Sequence, residues 1–181
     1  EGHRYLVHDL INTDRISHLL TDVINFDNRK LDGLVHCAGI SPILPLKAIN
    51  YYKMDDVMRV NFYSFIELVK SFSSKRISIG GSIVGISSVA AAYGEKCQTV
   101  YAASKAAMDA AVTCLAQELV SKGIRINTIR PGLINTPMTD NFKNDNVSDD
   151  AFLKSLSKQL LGIGEPEDIA KMAVFLLSDA S

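Results

Sequence analysis

Two residues in the segment Tyr101-Ala102-Ala103-Ser104-Lys105 have the types and spacing needed for proton transfer. On an α-helix, positions i and i+4 lie on one face, with their Cβ atoms about 5–6 Å apart. A neighbouring cation favours the phenolate form of a tyrosine, so Lys105 could bring the phenol of Tyr101 toward acid–base chemistry at neutral pH. The spacing alone is equally compatible with a solvated helix face.

A serine thirteen residues before Tyr101 adds a second polar group to this candidate site. Ser88 closes the run Gly81-Ser82-Ile83-Val84-Gly85-Ile86-Ser87-Ser88, whose apolar residues predict a strand. Ligands bind at the carboxyl ends of strands in parallel α/β sheets, so Ser88 is the candidate site residue. The alternative is a serine that only caps a turn, which is the interpretation we give to Ser87.

The elements that must position these residues follow from the hydrophobic pattern. Short apolar runs alternate with longer helical patterns, as expected of βα units that build a parallel sheet. Strands are predicted over residues 4–8, 31–37, 82–87 and 124–129, the last three buried on both faces. Helices are predicted over residues 14–27, 51–73 with a cap at Asn50, 99–122 with a stop at Gly123, and 166–178. Residues 133–164 are predicted to form a lid with a helical second half.

The composition fits one globular domain and excludes several classes of function. The chain has 181 residues, of which 47% are hydrophobic and 22% charged, and its net charge is −1, so we expect neither nucleic acid nor a membrane as partner. The uncharged stretch 77–94 contains serines and glycines and predicts strand plus loop rather than a membrane span. Three cysteines without a C-x-x-C pair predict no disulfide framework, no metal site and a cytoplasmic location, with Cys37 and Cys114 as small buried residues.

Four further motifs stand in the order known from one enzyme family. Asp9-Leu10 follows the first predicted strand, Ala38-Gly39 follows the second, and Asn61 occurs in Val60-Asn61-Phe62. The segment 127–136 reads Asn-Thr-Ile-Arg-Pro-Gly-Leu-Ile-Asn-Thr and fits the pattern Asn-x-x-x-Pro-Gly-x-x-x-Thr. With Ser88 and Tyr-x-x-x-Lys, the sequence resembles the short-chain dehydrogenase/reductase family, most of all its 3-oxoacyl-(acyl carrier protein) reductase group.

The resemblance implies a fold and a catalytic set. The fold would be a Rossmann-type, doubly wound parallel α/β sheet with helices on both faces, formed by residues 1–181 as a single partial domain and incomplete at both ends. Tyr101 would be the general acid or base, Lys105 would lower the tyrosine pKa and bind the nicotinamide ribose, and Ser88 would hold the substrate oxygen. Asn61 would hold a water that links Lys105 to solvent.

The resemblance also implies a cofactor and partners. The cofactor would be NAD or NADP, with NADP favoured by the likeness to reductases, and the substrate would be a small carbonyl compound or alcohol. Besides Tyr101 and Lys105, the implied cofactor contacts are Asp9, Leu10, His36, Ala38, Gly39, Pro131, Gly132, Ile134 and Thr136. A homodimer or homotetramer is expected.

The sequence departs from the family pattern in three places. The family's Asn-Asn-Ala-Gly is His36-Cys37-Ala38-Gly39 here, the phosphate-binding Thr-Gly-x-x-x-Gly-x-Gly turn does not precede Glu1, and no final strand follows Ser181. Residues 4–8 should therefore be separated from the strand at Leu31, or that edge should be rearranged. Two alternatives remain open at this stage: a non-catalytic scaffold of the same fold and a sugar-modifying reductase.

Overall fold

The sheet of the computed structural model has three parallel strands, which carry the candidate site at their carboxyl ends. The structure describes residues 3–26, 28–144, 153 and 155–181. The strand order is β1 (Gly33–His36), β2 (Gly81–Ile86) and β3 (Ile124–Ile129), with Val84 of β2 in register with Val35 and Asn127. Three of the four predicted strands are thus confirmed; β2 is buried on both faces, whereas the outer strands β1 and β3 are only partly buried.

The first predicted strand is wrong. Residues 4–8 adopt neither helix nor strand, and the side chains of Tyr5 and Val7 are exposed to solvent. A strand is stable only beside a hydrogen-bonding neighbour, and within the described chain β1 pairs with β2 alone. The expected separation between residues 4–8 and the strand after Leu31 is therefore observed.

The predicted helices form, with shifted ends. The helices are α1 (Ile16–Ile24), α2 (Tyr51–Met58), α3 (Ser64–Phe72), α4 (Thr99–Leu119), α5 (Pro137–Asn144) and α6 (Pro166–Leu177). The side chain of Asn50 caps α2 by accepting from the amide of Lys53, and Gly123 ends the turn after α4 with a left-handed φ of 67°. Asp27, the predicted end of the first helix, lies outside the described residues.

One irregularity was not predicted: α2 and α3 are joined by a π-helical segment, Arg59–Tyr63, instead of running as one regular helix over residues 51–73. Such π-helical turns insert one residue into a helix and occur frequently at functional sites. Asn61 lies in the middle of this segment and is completely buried.

Helices cover both faces of the sheet, as the resemblance implied. On one face, the fully buried Ile83 belongs to a hydrophobic cluster with Phe65, Phe72 and Met108 from α3 and α4. On the other face, the hydroxyl of the neighbouring Ser82 donates to the carbonyl of Leu176 in α6, at 2.8 Å. Successive side chains of a strand point to opposite faces, so β2 is packed between the two layers.

The predicted lid, residues 133–164, is anchored at its base. The amide of Asn135 donates to the carbonyl of Gly164 at 2.8 Å, and the amide of Gly164 donates to the carbonyl of Leu133 at 3.0 Å. Helix is present in the first half, as α5, as well as over residues 155–157 in the second half, where it was predicted. Residues 145–152 and 154 lie outside the described part.

The cysteine prediction is wrong: Cys37 and Cys114 are exposed. Cys114 lies on the face of α4 that turns away from the core residues Met108, Val112 and Leu119, and Cys37 lies in the turn that leaves β1. Over the described residues, no helix has the length and apolarity to span a membrane.

Candidate active site

Ser88 lies where β2 ends and is fixed by two backbone interactions of the loop that follows. Its hydroxyl oxygen accepts from the amide of Ala90 at 3.1 Å and caps a short 3-10 helix, Val89–Ala91. The amide of Val89 donates to the carbonyl of Pro131 at 3.0 Å, which ties this loop to the segment after β3. Ser88 is therefore a turn-capping serine and a site residue at once.

The phenol of Tyr101, in the first turn of α4, interacts with the hydroxyl of Ser88. Burial raises the pKa of the phenol, and the nearby Ser88 hydroxyl opposes this by lowering it. The expectation that Lys105 lowers the pKa of Tyr101 is not met in this structure, because burial dominates. Two hydroxyl groups thus face each other on one wall of a cleft.

Lys105 is a buried cation below the tyrosine ring. Its Nζ lies 5.8 Å from the centroid of the Tyr101 ring and donates to the carbonyl of Ile86, the last residue of β2, at 2.7 Å. Burial lowers the pKa of Lys105 to about 8, against the opposing effects of Asp109 and Cys37. Because that value is close to neutrality, modest changes in the surroundings can change the charge of this lysine.

Asn61 connects the turn after β1 with α4. Its Oδ1 accepts from the amide of Ile40 at 2.8 Å, and its Nδ2 donates to the carbonyl of Ile40 at 3.0 Å and to the hydroxyl of Ser104 at 2.9 Å. Both amide protons are thus used within the protein. Asn61 positions the elements that carry the site, and its water-holding role stays a prediction.

The turn after β1 brings Gly39 against Lys105. A Cβ at Gly39 would lie 3.3 Å from Nζ of Lys105 and 3.6 Å from Oδ1 of Asn61, so the absent side chain leaves room beside the lysine. Ala38, the preceding residue, is partly buried in the same turn. The predicted contacts Ala38 and Gly39 therefore lie next to the catalytic candidates.

His36 points inward and not toward the cleft. Its ring is 2% exposed, packs edge-on against Phe65, and its Nε2 lies 2.9 Å from the hydroxyl of Ser64. Because that hydroxyl donates to the carbonyl of Val60, Nε2 carries the proton, and the buried Nδ1 has no hydrogen-bond partner. Burial, helped by the charge of Lys105, lowers the pKa of His36 to about 4. Any contact of His36 with a cofactor would be made by its backbone.

The remaining predicted cofactor residues divide into two groups. The first group borders the site: Gly132 lines the cleft, and the carbonyl of Pro131 accepts a hydrogen bond from the amide of Val89. In the same segment, the hydroxyl of Thr136 lies 3.4 Å from the carbonyl of Ile134. Asp9 is exposed and its carboxylate accepts from the amide of Ile11, while Leu10 packs against the core. Neither Asp9 nor Leu10 is brought to the cleft.

The cleft in front of Ser88 and Tyr101 has a volume of about 430 Å³. Its further lining comes from loops and the lid: Ser41, Val89, Ala90, Tyr93, Glu95, Gln98, Gly132, Leu133, Met138, Thr139, Ser155, Lys158 and Gln159. Of these, Gly132 was predicted individually from the sequence and the residues from Leu133 onward only as part of the lid, because loop residues lack the periodic signals that mark helices and strands.

An ion pair fixes the lid across this cleft: Lys158 of the lid pairs with Glu95, which lies in the loop before α4. Within the lid, the side-chain amide of Gln159 donates to the carbonyls of Leu133 and Gly162, both at 3.2 Å. A Cβ at Gly132 would meet the end of the Gln159 side chain, so a residue with a side chain at position 132 would require Gln159 to move.

Across the residues that the structure describes, no three His, Cys, Asp or Glu side chains form a group able to hold a metal ion.

Comparison with known proteins assigns this architecture to a family. The family model described as enoyl-(acyl carrier protein) reductase, adh_short_C2, matches residues 1–181. A 3-oxoacyl-(acyl-carrier-protein) reductase, FabG, of Thermotoga maritima is 35% identical over 177 residues, which are 96% of this chain and 69% of the relative.

Solved structures agree with the sequence comparison. A short-chain type dehydrogenase/reductase from Mycobacterium ulcerans is 34% identical and superposes with a TM-score of 0.83, over 98% of this chain and 64% of that one. A 4-hydroxyisoleucine dehydrogenase complexed with NADH is 28% identical with a TM-score of 0.77, over 97% of this chain and 73% of that one. The chain thus spans about two thirds of the length of the proteins that it matches.

Proposed function

The chain belongs to the short-chain dehydrogenase/reductase family, and on that premise we propose that the whole protein interconverts a ketone and a secondary alcohol with a nicotinamide cofactor. One observation carries the proposal: the phenol of Tyr101, which interacts with the hydroxyl of Ser88 and whose ring lies above the buried Lys105, is on the wall of a cleft. A scaffold protein would have no need of a buried cation beneath a tyrosine.

The proposed chemistry of the chain's own residues is proton transfer at one oxygen atom. In the direction of reduction, the phenol of Tyr101 donates its proton to the carbonyl oxygen of the substrate, and the hydroxyl of Ser88 donates a hydrogen bond to the same oxygen. The raised pKa of Tyr101 keeps this acid protonated at neutral pH. The positive charge of Lys105 then stabilises the phenolate that remains.

A nicotinamide cofactor fits the residues around Lys105. The space left by Gly39 beside Nζ of Lys105 would admit the ribose hydroxyls, and the segment from Pro131 to Thr136 would hold the carboxamide. When bound, the reduced nicotinamide supplies the hydride. The likeness to a 3-oxoacyl reductase favours NADP(H), and a preference for one cofactor is measured directly by comparing kcat/KM with NADPH and NADH.

The proposed substrate is a 3-oxoacyl thioester. Besides the polar pair, the lining of the cleft includes the apolar side chains of Val89, Ala90, Leu133 and Met138, which suit an acyl chain whose keto group reaches Tyr101. The name of the Thermotoga relative indicates the same class of substrate.

A panel of substrates tests this proposal. The whole protein is assayed with acetoacetyl and longer 3-oxoacyl thioesters, keto sugars and cyclic ketones, by the loss of absorbance of NADPH and NADH. We expect the 3-oxoacyl thioesters to give the highest kcat/KM. If only the keto sugars are turned over, the substrate class is a sugar and not a 3-oxoacyl thioester. If the protein turns over no carbonyl compound and binds no nicotinamide cofactor, the enzymatic proposal is contradicted.

We further propose that the protein is a cytoplasmic homodimer or homotetramer. The side chains of Val174 and Phe175 on α6 and of Tyr51 and Tyr52 on α2 remain about half or more exposed, which leaves apolar surface for a second subunit. The mass of the whole protein in solution, measured by light scattering, tests the oligomeric state, and a monomer at micromolar concentration would contradict it.

A further inference from the structure

Asp109 joins three elements next to the catalytic candidates. It lies one turn after Lys105 on α4, and its side chain is 8% exposed. Its Oδ2 accepts from the hydroxyl of Ser87, at the end of β2, at 2.9 Å and from Nε of Arg130, directly after β3, at 2.8 Å. One carboxylate oxygen thus holds the ends of two strands against the helix that carries Tyr101 and Lys105.

The charge of this carboxylate is only partly compensated from the strand side. Arg130 is half exposed, so solvent screens much of its charge. Oδ1 of Asp109 is buried and has no hydrogen-bond partner in the described structure. A buried carboxylate oxygen without a donor leaves negative charge in a region of low dielectric constant, where it acts strongly on a nearby cation.

Lys105, four residues earlier on the same helix face, is that buried cation. Burial raises the pKa of the Tyr101 phenol and lowers that of His36 to about 4, so both are uncharged at neutral pH. Partial desolvation also raises the pKa of the Cys37 thiol, although its side chain reaches solvent. Of the two groups that raise the pKa of Lys105, Asp109 therefore has the larger effect.

We propose that Asp109 is a positioning residue that keeps Lys105 positively charged and at the same time fixes the ends of β2 and β3 around the active site. The consequence of Asp109 for catalysis rests on the proposed function, because only a dehydrogenase or reductase needs a charged lysine below its tyrosine. The effect of Asp109 on Lys105 is independent of the proposed function, because the charge of a lysine can be measured without turnover.

The direct test is an NMR titration of Lys105 in the whole protein, followed by the chemical shift of its ¹³Cε nucleus, with and without Asp109→Asn. We expect the pKa of Lys105 to fall clearly below its value of about 8 in the variant, and the change Asp109→Glu to restore it. The pH at which kcat/KM for alcohol oxidation falls on the alkaline side should decrease in parallel. An unchanged pKa of Lys105 in a folded Asp109→Asn variant would overturn the proposal.

Two controls separate the charge of Asp109 from its hydrogen bonds. Asp55→Asn alters the net charge of the protein equally but removes only a surface pair with Arg59, so the pKa of Lys105 should stay as in the wild type. Ser87→Ala removes one bond and keeps the carboxylate, so it too should leave the pKa unchanged.

If Asp109→Asn fails to fold, a second variant tests the proposal by removing a positive charge near Asp109 instead of the negative charge of Asp109 itself. Arg130→Gln removes the exposed compensating charge, so the pKa of Lys105 should rise to the extent that solvent does not already screen Arg130. A fall would contradict the proposal. If the pKa of Lys105 moves as expected but the wild-type protein turns over no carbonyl compound, the proposed function fails and the assignment of Asp109 stands.

Discussion

His36 shows how a single buried residue can make stability depend on pH. Its ring is enclosed by Phe65 and Ser64, and its pKa is lowered from 6.5 to about 4 because burial disfavours the charged imidazolium. A group whose pKa is depressed by folding contributes stability that is complete above its unfolded pKa. That stability is lost as the pH falls from 6.5 through 4.

We therefore expect acid to destabilise the protein partly through His36. The difference between 6.5 and about 4 corresponds to about 3 kcal/mol at 1.36 kcal/mol per pKa unit. In His36→Gln, which keeps a donor for Ser64 but cannot titrate, the free energy of unfolding should fall less between pH 6.5 and 4. Urea unfolding at several pH values measures this.

The matched control for His36→Gln is His18→Gln, at an exposed position of α1. The pH dependence of His18→Gln should be that of the wild type. Equal pH dependence of all three proteins would show that the burial of His36 has no energetic consequence.

The tyrosine, the lysine and the serine of the site could be predicted from the sequence because their spacing is short and ordered. The inward orientation of His36 could not, because it depends on Phe65 and Ser64 from another element. The proximity of Asp109 to Lys105 could have been predicted, because Asp109 is an acidic residue four positions after Lys105 on a predicted helix. Its hydrogen bonds to Ser87 and Arg130 arise only when the strands and α4 come together.

At the level of elements, the π-helical segment Arg59–Tyr63 is the least predictable feature with consequences for the site. Apolar periodicity favoured one helix over residues 51–73, and the extra residue of a π-turn leaves no clear mark in that pattern. By contrast, the cap at Asn50 and the stop at Gly123 were predicted correctly, because capping and left-handed conformations depend on single residue types.

Replacing Asn61 should weaken the hydrogen-bonded connection between the turn after β1 and helix α4. In Asn61→Leu, two partly buried hydrogen bonds to the backbone of Ile40 and one buried hydrogen bond to the hydroxyl of Ser104 are lost, and each contributes about 0.5–1.5 kcal/mol. We expect the free energy of unfolding to fall by at least about 2 kcal/mol, measured by urea denaturation.

The change Asn50→Ala serves as the comparison for Asn61→Leu, since it removes an exposed cap with a single hydrogen bond to Lys53. Its expected cost is about 1 kcal/mol. A loss in Asn61→Leu no larger than that in Asn50→Ala would show that Asn61 does not join the two elements.

On the scale of the whole molecule, the sheet of the described chain has three strands, and β2 is the strand with a partner on each side. The prediction of a strand over residues 4–8 failed because the short apolar run Tyr5-Leu6-Val7 favours a strand but supplies no neighbouring strand to pair with. Strand propensity is local, whereas a sheet is a property of the assembled fold.

Hydrogen exchange of the 181-residue chain tests this difference between residues 4–8 and β2. Amides of residues 4–8, which are in neither helix nor strand, should exchange nearly as fast as those of an unstructured peptide. Amides of β2, paired on both sides, should exchange only when the domain opens. Protection of residues 4–8 comparable to that of β2 would show that this segment pairs with the sheet after all.

The proposed catalysis requires the phenol of Tyr101 to be the acid that protonates the reacting oxygen. The most direct measurement is the kcat/KM of the whole protein carrying Tyr101→Phe, beside Tyr93→Phe, which removes a hydroxyl from the same cleft at a more exposed position. We expect Tyr101→Phe to lose at least about 100-fold in kcat/KM while still binding reduced cofactor, and Tyr93→Phe to stay within a few-fold of the wild type. Turnover by Tyr101→Phe at the wild-type rate would contradict the account.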